Sequence, residues 1–110
     1  MNLYEYQELS MRTAKPLNRD KAILHCIVGL ADEVGELASA IKKAEIYDQK
    51  IDFENIAEEI GDILWRTSYA AHVFGMSLET IARQNIEKLA KRYPEGYSDF
   101  HACARIDKSE

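Results

Sequence analysis

Apolar side chains recur at helical spacing along most of this chain, and no segment alternates in the way a strand does. Residues 3–14 predict a short first helix, which Pro16 and Asn18 interrupt. Asp20 is an N-cap candidate for a long second helix reaching Glu45. Along it Ile23, Ile27, Leu30, Val34, Leu37 and Ile41 form one stripe. The polar stretch "YDQKID" breaks that pattern, and Asp52 stands where a third helix would be capped. Phe53, Ile56, Ile60, Ile63, Leu64 and Thr67 share a face, and Gly75 marks the stop. Ser77 caps a fourth helix, with Met76 and Ile81 at staple positions, and Pro94 and Gly96 end it. From Ser98 the chain is polar. The expectation is an all-α fold, a single helical domain over residues 1–97 followed by a flexible tail over 98–110. Two long antiparallel helices and two shorter ones make a protomer of the four-helix-bundle type.

A chain of 110 residues with 46% hydrophobic residues is long enough for one folded domain and too apolar to be disordered. Its net charge of −5 argues against binding a nucleic-acid backbone. Small phosphorylated ligands are not excluded, because divalent cations bring them to acidic sites. Cys26 and Cys103 are far apart in the chain and form no CxxC; Cys26 lies in an apolar run and reads as a small buried hydrophobe. A reducing, cytoplasmic setting is expected. No apolar run reaches the length of a membrane span, so neither a membrane nor nucleic acid is an expected partner.

The charges gain meaning when the helices are placed. In "ADEVGELASAIKK", Glu33 and Glu36 lie one turn apart. Measured from Leu30 they point about 60° and about 120° round, at the edge of the apolar stripe, whereas Asp32 points to the back. Gly29 and Ala40 share their flank, and such small neighbours leave room for a ligand. In "EEIGD", Glu59 and Asp62 repeat the spacing on one side, and Glu58 falls on the other flank. A hairpin turning near Gln49 brings Glu36 level with Asp62. It also leaves Glu33 opposite Asp62, and Glu36 opposite Glu59, within one turn. Like charges converging at a partly dry interface are unfavourable without cations. Oxygen ligands without His or Cys suit Mg²⁺ or Mn²⁺. Di-iron bundles use Glu-x-x-His, and no glutamate here has a histidine three residues on. His25, His72 and His101 read as helix-surface or tail residues.

The fourth helix supplies positive charge. Asn85 falls in its apolar stripe, where a buried amide would need partners. Lys88 and Arg92 follow on the same flank, and could meet phosphates or simply complement the helix C-terminus. Arg66 stands one turn after Asp62, where it would neutralise it. Trp65 and the tyrosines are core candidates that could also stack on a base, and Gln7, Arg12 and His25 are weak candidates for base contacts.

"EVGEL", "EEIGDILW" and "NIEKLAKRYPEGY" together resemble the MazG-like nucleoside triphosphate pyrophosphohydrolases, an all-α group, over roughly residues 20–97. The family pattern is an ExxE, a spacer and an ExxD, matched here by Glu33, Glu36, Glu59 and Asp62. The resemblance implies Mg²⁺-dependent cleavage (Mn²⁺ as the substitute) of a nucleoside triphosphate between its α- and β-phosphates. It implies that the four acids bind metal, with one glutamate orienting water. Asn85, Lys88, Arg92 and Tyr93 would contact phosphates or sugar. It further implies a homodimer or homotetramer whose sites borrow residues from a neighbour. The opening segment "MNLYEYQELSMRTA" lies outside the motif set. The alternative is a helical module that binds a nucleotide or a protein without catalysis.

Overall fold

Five α-helices joined by tight caps account for most of the chain in the computed structural model, which describes residues 1–108. Helix α1 (Leu3–Ser10) begins where Asn2 accepts the Glu5 N–H at 2.8 Å, and a 3₁₀ turn continues it over Met11–Thr13. Helix α2 (Arg19–Ile46) starts earlier than expected: the Asn18 side chain accepts from Lys21 N–H and is the N-cap in place of Asp20. Asn caps as well as Asp does, so Asp20 becomes a first-turn acid favoured by the helix dipole. Beyond α2, Asp48 adopts a left-handed φ of 53°, which Asp tolerates better than most residues, and turns the chain back.

Helix α3 (Phe53–Val73) is capped by Asp52, whose side chain accepts from Asn55 N–H. Its end is a Schellman closure: Met76 N–H bonds to Ala71 O at 2.8 Å and Gly75 N–H to His72 O at 3.0 Å. Gly75 takes the φ of +70° that this closure requires. Helix α4 (Leu78–Arg92) follows from the Ser77 cap. The segment expected as a flexible tail is instead folded over its described part. Ser98 caps α5 (Asp99–Ala104), and a second 3₁₀ turn spans Ile106–Lys108. The anchor is Asp107, whose side chain is 1% exposed and accepts from Arg92 Nε at 2.7 Å and Nη2 at 3.0 Å. Residues 109–110 of the expected tail lie outside the described residues.

The fold is all-α, with no strand among the described residues. α2 and α3 form the antiparallel hairpin; α1 lies on α3 and α4, and the final 3₁₀ turn lies on α4. Gln7 of α1 ties these helices together, its amide donating to Met76 O and accepting from Leu78 N–H. The Trp65 indole N–H is shared between Ser10 O at 2.9 Å and Thr13 Oγ1 at 3.0 Å, and Ser10 and Ser68 pair their buried hydroxyls at 2.8 Å. The innermost side chains are few: Cys26, Ser68, Tyr69, Ala71 and Leu78. Much of the apolar stripe read from the sequence stays open, with Ile27 at 53%, Val34 at 51% and Ile60 at 54% exposure. The radius of gyration, 17.2 Å, exceeds the roughly 13 Å of a compact chain this long. The helical period was read correctly, but a single copy does not cover the surface it defines. No helix among the described residues is long and apolar enough to cross a membrane.

Candidate metal centre

The hairpin brings acids from two helices to one height. Glu33 of α2 and Glu59 and Asp62 of α3 each offer a carboxylate oxygen, and the three atoms lie within 4.8 Å of one another. Glu36 and Glu59 line one cleft, near enough for the Glu36 carboxylate to disfavour charge on Glu59. The helices are long and continuous here, so each carboxylate is held by a rigid backbone rather than by a loop. Glu33 and Glu59 are half-buried, and Asp62 is exposed.

The electrostatics of this cluster are unbalanced. Glu59 Oε2 is buried and has no hydrogen-bond partner. Burial first, then the Glu36 carboxylate, push the Glu59 carboxyl above its ordinary value; Asp62 and Glu33 add to the effect. The phenol of Tyr6 on α1 is also pushed up, by burial and then by Asp62. The N-terminal helix packs on α3, the helix that carries Glu59 and Asp62. One cation stands against the acids: Arg66 Nε lies 3.6 Å from Glu33 Oε1. Arg66 was expected to neutralise Asp62. It reaches across to α2 instead, because Gly29 opens a notch there. A Cβ on Gly29 would lie 2.6 Å from Arg66 Nη1, so the space expected for a ligand beside Gly29 holds the guanidinium. His25, expected on the surface, is half-buried in the same group, 3.5 Å from both Arg66 Nη1 and the Tyr69 hydroxyl.

A cleft of about 240 Å³ opens on the other side of the acids, lined by Glu36, Ser39, Ala40, Lys43, Asn55 and Glu59. Ala40 does leave space here. Asn55 went unread in the sequence, although it precedes Glu59 by four residues and Asp62 by seven, on the stripe that carries both. Lys43, in the last turn of α2, brings a cation to the same cleft. Two larger hollows, about 410 and about 550 Å³, flank Met11 and His72 and are lined by none of the four acids. The donor chemistry, not the volume, therefore marks the site.

The donor set fits a hard divalent cation. It is all oxygen, converges from two rigid helices, and includes a buried oxygen that no protein group satisfies.

Helix α4 is arranged differently from expectation. Asn85 and Lys88 are exposed, so Asn85 is not the buried amide its stripe position suggested. Arg92 is taken up by Asp107, which raises the guanidinium further above its already high value. Tyr93 is half-buried, its ring 5.5 Å from that of Tyr97. Among the described residues neither Lys88 nor Arg92 makes an ion pair with the four acids.

The MazG nucleotide pyrophosphohydrolase domain matches residues 22–97, which contain α3, α4, the four acids and all of α2 but its first turn. The chain is 33% identical over 73 residues to the uncharacterized protein YvdC of Bacillus subtilis (strain 168), covering 58% of this chain and 69% of that protein. It is 30% identical over 80 residues to the Gene 37 protein of Mycobacterium phage L5, covering 69% of this chain and 70% of that one. No solved structure matches it. The all-helical fold and a family match over most of the chain make it a member of the MazG nucleotide pyrophosphohydrolase domain family.

Proposed function

We propose that this protein hydrolyses a nucleoside or deoxynucleoside triphosphate between its α- and β-phosphates, giving the monophosphate and pyrophosphate, with Mg²⁺ or Mn²⁺ as cofactor. The observation that carries this reading is Glu59 Oε2, buried without a partner among Glu33, Glu36 and Asp62. Glu33, Glu36, Glu59 and Asp62 would hold the cation. Bound there, it would neutralise phosphate charge and lower the pKa of water at the site.

The chain's own residues have distinct tasks. Glu59, whose carboxyl is pushed up by burial and then by Glu36, is assigned to orient the attacking water and take its proton. Lys43 and Asn55 line the cleft beside it and offer N–H donors to phosphate oxygens. Asn85, Lys88 and Tyr93 on α4 are assigned to phosphate or sugar contacts across an interface between copies. Arg92 joins that set only when Asp107 gives it up. The open stripe of α2 and α3, with Ile27, Val34 and Ile60 exposed, supports a homodimer or homotetramer. Sedimentation at micromolar concentration is expected to show one of these; a monomer would contradict the assignment.

The test of activity is incubation with each dNTP and Mg²⁺, measuring pyrophosphate and monophosphate. Equal amounts of both are expected. Release of single phosphate would contradict the bond assigned. Nucleotide that binds and is returned unchanged would favour a non-catalytic binding module.

A further inference from the structure

Arg66 is the one cation among the described residues that pairs with the acids, and its seating has an unusual combination of features. Its guanidinium fills a notch that exists only because residue 29 lacks a side chain: a Cβ there would lie 2.6 Å from Nη1, 2.7 Å from Cζ and 2.9 Å from Nε. His25 Nε2 is 3.5 Å from Nη1, and the Trp65 ring centroid is 5.2 Å from Cζ. The group is thus located by shape. Yet its ion pair is loose. Nε to Glu33 Oε1 is 3.6 Å, against about 2.7–2.9 Å for a charge-assisted hydrogen bond. The same chain makes a tight pair elsewhere, Arg92 with Asp107 at 2.7 Å and 3.0 Å. Both partners of the loose pair keep some exposure, 21% for Arg66 and 14% for Glu33. Their carboxylate–guanidinium contact is therefore exchangeable.

Resting on the metal-site reading above, we infer that Arg66 is a positioning residue acting as the resident counter-cation of Glu33. It weakens divalent-ion binding by the nucleotide-free protein and yields Glu33 when ion and triphosphate arrive together. A unit positive charge one side chain away opposes a divalent ion by an amount worth about three- to tenfold in affinity, after screening. The triphosphate, being anionic, gives the freed guanidinium a new partner, so ion and nucleotide binding become positively coupled.

The test is calorimetric titration of MnCl₂ into the full chain, with and without a non-hydrolysable α,β-imido dNTP. Wild type, Arg66→Met, Arg66→Lys, Gly29→Ala and Glu59→Gln are compared. Arg66→Met is expected to bind Mn²⁺ about three- to tenfold more tightly without nucleotide, and to lose most of the enhancement that nucleotide gives wild type. Arg66→Lys keeps the charge and is expected to stay within about twofold of wild type. Gly29→Ala pushes the guanidinium from its notch in a position where Ala favours helix, and is expected to move affinity in the direction of Arg66→Met. Circular dichroism verifies that each variant is folded. If Arg66→Met binds Mn²⁺ no more tightly than wild type while Glu59→Gln loses binding, the role of Arg66 is wrong and the metal site stands. If wild type takes up no Mn²⁺ with or without nucleotide, the metal site and the inference fall together.

Discussion

Replacing Trp65 with Phe should loosen the N-terminal helix from the hairpin. The indole N–H is shared between Ser10 O and Thr13 Oγ1, so it counts as about one hydrogen bond, worth about 1 kcal/mol net. Ser10 O keeps a second donor in the Thr13 hydroxyl at 3.0 Å, so no acceptor is stranded. Loss of the second ring, which packs 5.4 Å from the Tyr69 centroid, adds about 1–2 kcal/mol. The total is about 2–3 kcal/mol. A chain of 110 residues has an unfolding entropy that makes 1 kcal/mol equal to about 4 °C, so Tm should fall by about 8–12 °C. The assay is thermal unfolding at fixed protein concentration, together with amide exchange over residues 3–13. Those amides should exchange faster than the ones in the middle of α3. A Tm within about 3 °C of wild type, with α1 protection unchanged, would refute the reasoning. The same variant should disturb the acids, because α1 packs on α3, which carries Glu59 and Asp62.

The remaining predictions concern charge. Glu59→Gln should lower turnover at least about a hundredfold while leaving circular dichroism unchanged. Glu59 is raised in the folded state, so metal-free wild type should lose stability as pH climbs from the ordinary carboxylate range through the raised value; Glu59→Gln should lack that loss in thermal melts. Arg92→Met should leave the buried Asp107 carboxylate only the looser Arg105 contact at 3.7 Å and free residues 99–108, read by limited proteolysis. Arg92 holds the Asp107 carboxyl well below its usual range, so in wild type this anchor persists through mild acid and is lost only as pH falls through that depressed value. Lys88→Ala should raise KM for triphosphate well above the effect of Glu58→Ala; equal effects in steady-state kinetics would remove α4 from the site.

The parts of this molecule legible in the sequence are those that depend on local periodicity and on loop length. The acids meet because Glu36 and Asp62 are equidistant from a turn near Gln49 and Glu33 and Glu59 each lie one helical turn from them, and both quantities can be counted. The caps at Asp52, Ser77 and Gly75 were legible for the same reason. What stayed hidden depends on long side chains choosing among partners. Arg66 was expected on Asp62, its neighbour along α3, and reaches Glu33 because of a gap at Gly29 on another helix. Arg92 read as a phosphate ligand and is held by Asp107, fifteen residues on, in a segment whose polarity suggested disorder. Asn85 looked buried because it lies on the apolar stripe of α4, but one copy covers that stripe at Leu78 and leaves it open at Asn85. Periodicity says which face is apolar; it does not say which molecule covers it.

The central claim is that the four acids jointly hold a divalent cation. Its most direct test is anomalous scattering at the manganese edge from crystals grown with MnCl₂. The account predicts a peak within coordination distance of Glu59 Oε2 and of oxygens from Glu33 and Asp62. A manganese-free cluster, with these carboxylates turned to separate surfaces in crystals that scatter well at that edge, would contradict it.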